Sequence, residues 1–342
     1  MLSAALRTVS SRRLVVHSHG VHVRLEYVLH GDPETQPCCM FVSGLGSQLT
    51  DWPDELISPL IERGYSVLLF DNRDAGLSTT LDDLRPQSEV INALKERVGL
   101  SIAPCYQLGD MADDALLLLD ELSISRVHLV GQSMGGMIAQ LLLVKYPERV
   151  RSATFLMTCP GPGNGPQLPS ILYYAQYAYK ARVPGGSDAS LEDRIDARVR
   201  TKLHIAGDAF FDEAKTRERA MRSLTREPPM SVMSPAKKRQ MEAVLSARSR
   251  QDALRLVEET SRVPCTVIHG DSDQFVPTAN GVLLHELLGD EISKLVLVER
   301  MGHALEPENC PHILEAMLGT FERGVAKEET EGIAPAHHQA KL

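Results

Sequence analysis

Ser133 lies in Gly131-Gln132-Ser133-Met134-Gly135, behind a strand-like run at 126–130 and ahead of a helix-like run at 137–143. A serine flanked by glycines at a strand–turn–helix junction is the nucleophile-elbow pattern. The glycines have a physical task. The serine backbone is forced into a strained conformation, and side chains at the flanking positions would collide with strand and helix. The turn lifts the hydroxyl above the sheet, and the following helix N-terminus favours developing negative charge. The competing reading is an ordinary glycine-rich turn.

A serine hydroxyl needs a base within hydrogen-bond reach, and the base needs an orienting acid. Behind an elbow of this kind the acid and then the histidine follow in chain order. One late strand-like run ends in His269-Gly270-Asp271-Ser272-Asp273, and the next is followed by Met301-Gly302-His303. His303 is the candidate base: of the 12 histidines, it alone follows a late strand on a glycine turn. Asp271 and Asp273 compete for the acid. Asp273 is the better placed, because Asp271 follows the strand end too closely to swing toward His303 and suits bracing the turn. His269 reads as structural. An oxyanion needs backbone donors; the candidates are the amide of Met134 and that of Leu45, in Gly44-Leu45-Gly46 after the short strand-like run 38–42. Trp52 reads as core packing.

These residues must be held by alternating strands and helices, which implies a mostly parallel sheet with helices on both faces. Runs 13–19 and 21–29 read as an antiparallel opening pair turned at Gly20. Strands are expected at 38–42, 65–71, 126–130, 153–158, 263–268 and 294–298. Helices are expected at 53–63, 111–122, behind Ser133, and near 312–321. After Cys159 the breaker cluster 160–166 opens about ninety charged, helical residues without a strand-like run. The expected division is a candidate leader at 1–12, a core at 13–159 and 256–325, a helical lid at 160–255 after the sixth strand, and a flexible tail at 326–342.

The elbow Gly-Gln-Ser-Met-Gly-Gly-Met, the segment Asp71-Asn72-Arg73-Asp74-Ala75-Gly76-Leu77-Ser78-Thr79 and the segment 106–114 resemble the α/β-hydrolase superfamily. Within it the chain most resembles the branch that includes aclacinomycin methylesterase. The resemblance covers about residues 13–323 and is weakest across the insert. It implies an α/β-hydrolase fold of about eight strands and a cofactor-independent serine hydrolase acting on a carboxylic ester, with Ser133, Asp273 and His303 matching the triad. Arg73 and Asp74 match a family loop and read as an ion pair under the site. One departure puts the bracing of the oxyanion loop in question: the usual His-Gly is Ser43-Gly44 here. The same groups serve an acyl-CoA thioesterase or a cofactor-free acyltransferase. A non-catalytic ligand receptor is the reading from another class, and the complete Ser/Asp/His set argues against it. Substrate choice is expected in the insert, around Tyr173, Tyr174, Tyr177 and Tyr179, which read first as helix packing.

Bulk properties exclude other classes. The 342 residues carry 36 basic against 45 acidic side chains, a formal net charge of −9, and no basic cluster interleaved with aromatics marks a nucleic-acid surface. Lys237-Lys238-Arg239 is short and reads as a solvated helix face. Six scattered cysteines form no C-x-x-C pair, so neither a zinc site nor a disulfide frame is expected. No apolar run approaches a membrane span. Residues 1–25 contain no acid and four arginines, the composition of an organellar presequence. Ala340-Lys341-Leu342 is a variant of a peroxisomal address, so an import receptor is an expected partner beside the small-molecule ester. The expected location is a peroxisome or related microbody (glycosome), ahead of mitochondrion or cytoplasm.

Overall fold

The computed structural model describes residues 12–18, 21–86, 103–162, 171–206, 211–226 and 234–332. The candidate leader up to residue 11, Gly20, Ala340-Lys341-Leu342 and most of the 160–166 breaker cluster lie outside them, while Arg12, counted to the leader, already opens the first strand.

Eight strands form one sheet in the spatial order β1-β2-β4-β3-β5-β6-β7-β8. They are β1 (Arg12–Ser18), β2 (Val21–His30), β3 (Cys38–Val42), β4 (Ser66–Phe70), β5 (Val127–Gln132), β6 (Val150–Leu156), β7 (Cys265–Gly270) and β8 (Ser293–Val298). β2 pairs antiparallel with both β1 and β4, and all other pairings are parallel. Parallel strands bury both faces, which explains why β3, β4 and β7 read as continuous apolar runs.

The two-residue period of the strands sorts side chains into two cores. Met40, Val42, Leu68, Phe70, Phe155 and Val267 face one side. There they meet α2 (Leu108–Glu121), α3 (Met134–Lys145) and α9 (Ala279–Leu288). Their sequence neighbours Cys39, Phe41, Val67, Leu69, Leu156 and Ile268 face α1 (Asp54–Glu62) and α10 (Cys310–Glu331) on the other. Between β6 and β7 the described residues contain helices and no strand: α4 (Ile171–Lys180), α5 (Leu191–Ala206), α6 (Glu213–Leu224), α7 (Pro235–Leu245) and α8 (Gln251–Arg255).

The helix expected behind Ser133 is α3, which begins directly at Met134. Helix α9 was not foreseen; its apolar residues Val282, Leu283, Leu284, Leu287 and Leu288 surround the axis instead of forming a stripe. The tail does not begin at Ala326. α10 runs to Glu331 and stops at left-handed Gly332, held by the buried Glu328 pairing with Arg151 and Arg126.

All six cysteines are free, and Cys38, Cys39 and Cys265 fill strand interiors. Among the described residues no helix is long and apolar enough to cross a membrane, and no His/Cys/Asp/Glu group could hold a metal ion.

Candidate active site

Ser133 sits between the last residue of β5 and the first of α3 with φ 53° and ψ −119°. A non-glycine residue there is strained and must be held by its surroundings. Its N–H donates to Leu156 O at 2.9 Å, and its carbonyl accepts from Thr158 Oγ1 at 2.7 Å. Both anchors belong to β6 or its exit, so the neighbouring strand fixes the turn. A Cβ at Gly135 would overlap the Val42 carbonyl, and one at Gly136 would meet Thr158 at 2.6 Å. The helix can therefore start at once, but only without side chains in its first turn.

His303, in the loop after β8, approaches the serine with Nε2 at 3.0 Å from Ser133 Oγ. Its Nδ1 lies 2.7 Å from Asp273 Oδ2. An ionised carboxylate only accepts, so Nδ1 carries the proton and the Nε2 lone pair faces the serine hydroxyl. Burial by itself would raise the Asp273 carboxyl, but His303 and His269 beside it hold it down at about 2. Its Oδ1 accepts the amides of Phe275 and Val276 at 2.9 and 2.8 Å, which leaves Oδ2 to the imidazole.

Of the two competing acids, the structure brings Asp273 to the histidine. Asp271 is exposed and braces the turn, accepting from Arg300 N at 2.7 Å. His269 donates through Nε2 to Val276 O at 2.8 Å and lies 3.4 Å from Asp273, completing the carboxylate's enclosure.

The loop after β3 reaches the same point, since a Cβ at Gly44 would stand 3.4 Å from Ser133 Cβ. Among the described residues, the amides of Leu45 and Met134 have no hydrogen-bond acceptor. The Ser43 departure has its own bracing. Trp52 Nε1 donates to Ser43 Oγ at 2.9 Å while its ring packs on Phe41, and Asn72 donates to Ser43 O at 3.0 Å. Buried Asp71 accepts the Leu49 amide at 2.7 Å. Trp52 is thus both core and loop brace.

Arg73 and Asp74 each find a partner elsewhere. Arg73 grips Asp114 on α2 at 2.6 and 2.7 Å. Asp74 is gripped by Arg239 on α7 at 2.6 and 2.8 Å and accepts from Tyr106 at 2.8 Å. The solvated-face reading of Arg239 is thereby corrected: it is 0% exposed. A buried guanidinium requires a carboxylate partner, and that partner was distant in sequence.

Sequence reasoning also missed Phe275, whose ring lies 5.0 Å from His303 and 4.9 Å from Tyr177 of α4. Tyr173 stacks on His204 and donates to its carbonyl at 2.9 Å. Burial, together with the Asp273 charge, raises its phenol to about 12, so it remains a donor. Tyr179 is 72% exposed, and the Tyr174 side chain lies outside the described residues.

A family model for the alpha/beta hydrolase fold matches residues 39–308. The chain belongs to the α/β-hydrolase family. Rhodomycin D methylesterase of Streptomyces peucetius is 31% identical to this chain over 127 residues, 37% of this chain and 36% of that protein. The chain therefore matches about a third of the length of that relative. An enol-lactonase of Acinetobacter baylyi (3-oxoadipate enol-lactonase 2) is 22% identical over 87% of this chain and 94% of its own. A thermophilic esterase from Thermogutta terrifontis shares the fold at TM-score 0.64 and 16% identity, over 92% of this chain and 99% of that one.

Proposed function

We propose that this α/β hydrolase is a serine hydrolase that cleaves a carboxylic ester of a small or medium hydrophobic substrate through an acyl-enzyme. One observation carries the reading: an unbroken hydrogen-bonded run from Asp273 through His303 to a serine held at positive φ. The likenesses to a methylesterase and to an enol-lactonase, whose names both denote ester bonds, support that chemistry.

Ser133 Oγ attacks the ester carbonyl while His303 Nε2 takes its proton. The amides of Met134 and Leu45 hold the oxyanion, and each such donor is worth about 3 kcal/mol of barrier. The alcohol leaves with the proton from His303. Water then attacks the acyl-enzyme, with His303 again as base. Asp273 stays ionised throughout, keeps the imidazole tautomer and stabilises the imidazolium.

A fluorophosphonate reagent should label the protein at Ser133. Ser133→Ala should lose labelling and p-nitrophenyl acetate turnover by about 10⁴-fold or more, with an unchanged circular dichroism spectrum. Undiminished turnover by that variant would overturn the proposal.

A further inference from the structure

Against Gln132, the residue before the nucleophile, and under the helical insert lies a narrow cavity of about 30 Å³. Its floor joins the parts of the candidate site: Ser47 from the loop after β3, Gln132 next to Ser133, and Leu305 and Glu306 just past His303. Its roof is Arg198 and Lys202 of α5 with Thr216 and Arg219 of α6.

The polar groups here are unevenly matched. Three cations (Arg198, Lys202 and Arg219) face two carboxylates, Asp51 and Glu306. Both carboxylates are already engaged. Asp51 accepts from Ser223 Oγ at 2.5 Å and Gln48 N at 2.9 Å. Glu306 accepts from Arg219 at 3.3 Å and Asp212 N at 3.4 Å. By contrast, Arg198 Nη2 and Thr216 Oγ1 are buried with no hydrogen-bond partner, and Thr216 is only 3% exposed. Burial lowers the Lys202 ammonium, with Asp51 acting the other way. A buried donor without an acceptor is expensive; two of them line this cavity, and although Arg198 and Lys202 already act on the Asp51 charge, cations outnumber carboxylates there by one, so an anionic acceptor would satisfy both the donors and the remaining charge.

We infer that this cavity is a carboxylate subsite, so that the preferred ester carries a second, ionised carboxyl group on its acyl chain. The space suits a compact carboxylate head and no bulky group. Arg198 and Lys202 supply charge, and the Thr216 hydroxyl supplies a third donor. The inference rests on the ester-hydrolase reading of Ser133 and narrows its substrate from a wholly hydrophobic ester to one with an anionic end.

The test pairs p-nitrophenyl monoesters of succinate, glutarate and adipate with p-nitrophenyl esters of matching neutral acyl chains. At the best chain length the anionic ester should exceed its neutral match in kcat/KM by about tenfold or more. Arg198→Gln should collapse that ratio chiefly through KM; Thr216→Val is the second variant should Arg198→Gln fail to fold. Independently of turnover, glutarate should bind the Ser133→Ala protein by calorimetry and glutaramide should not. A ratio near one at every length with no glutarate heat would overturn the subsite, while fluorophosphonate labelling and neutral-ester turnover would leave the hydrolase reading standing. Glutarate binding to a protein whose Ser133 is not labelled would overturn the hydrolase reading and keep the carboxylate site.

Discussion

Asp273 and Asp271 are two residues apart and chemically identical, yet they have different fates. Asp273 is 4% exposed and enclosed by two imidazoles and two backbone amides; Asp271 faces solvent. The enclosure sets the titration behaviour. With a folded-state value depressed to about 2, Asp273 contributes stability that is present above the ordinary carboxylate value and lost as pH falls toward 2. The carboxylate is therefore ionised across the working range and does not supply the acid limb of a pH–rate profile. Asp273→Asn should lower kcat by about 10³–10⁴ through loss of the required tautomer. That acid limb of kcat/KM should survive in whatever activity remains; its disappearance would assign the limb to the aspartate. Which serine and histidine meet at this scale was legible in the sequence because the elbow pattern constrains backbone as well as side chain. The choice between the aspartates rested on a spacing argument, and contact with the ring decided it.

At the scale of elements, close approach explains most of what the sequence displays around the serine. The glycines of the elbow let β5, α3 and the β3 exit converge within van der Waals distance of one another, and helix propensity yields to that need. Gly135→Ala should therefore yield little folded protein, because its new methyl meets the Val42 carbonyl, a rigid backbone group. Gly319, exposed on α10 with nothing within 4 Å of its added Cβ, is the contrast. Gly319→Ala should stabilise the fold by about 0.5–1 kcal/mol through helix propensity. Thermal denaturation of both variants checks the pair; an unperturbed melting temperature for Gly135→Ala would remove the close-approach argument. Strands were legible because buried parallel strands are short apolar runs between breakers. Helix α9 was not, since a helix apolar all round offers no periodic stripe, and the Gly281 that seats it against the His269 ring looks like a breaker in sequence.

Across the whole molecule, the insert between β6 and β7 is tied to the core by polar clamps around the candidate site. Arg239 holds Asp74, and Gln240 spans from the Gly46 amide at 2.7 Å to Arg73 O at 2.8 Å. Arg226 bridges Gln48 and Asp71, and the His303 amide donates to Ile205 O at 2.6 Å. The loops bearing Leu45 and His303 are thus held from above as well as below. Arg239→Met should destabilise the protein by about 3–5 kcal/mol, because Asp74 is left as a buried charge missing its bidentate partner. The exposed Arg255–Asp252 pair should contribute about 0–1 kcal/mol. Urea titration of Arg239→Met and Arg255→Ala tests the difference, and equal midpoints would refute the clamp. The sequence alone determined the family, the sheet rhythm and the serine, because these depend on local patterning and backbone sterics that neighbouring residues encode. Only the tertiary structure decided which aspartate serves the histidine, that Arg73 and Asp74 pair with Asp114 and Arg239, and that Arg198 and Thr216 line one cavity. Those outcomes depend on charges and donors meeting across separations from 30 residues for Asp273 and His303 to 165 for Asp74 and Arg239, where desolvation makes each partner matter and chain order carries no record of the meeting.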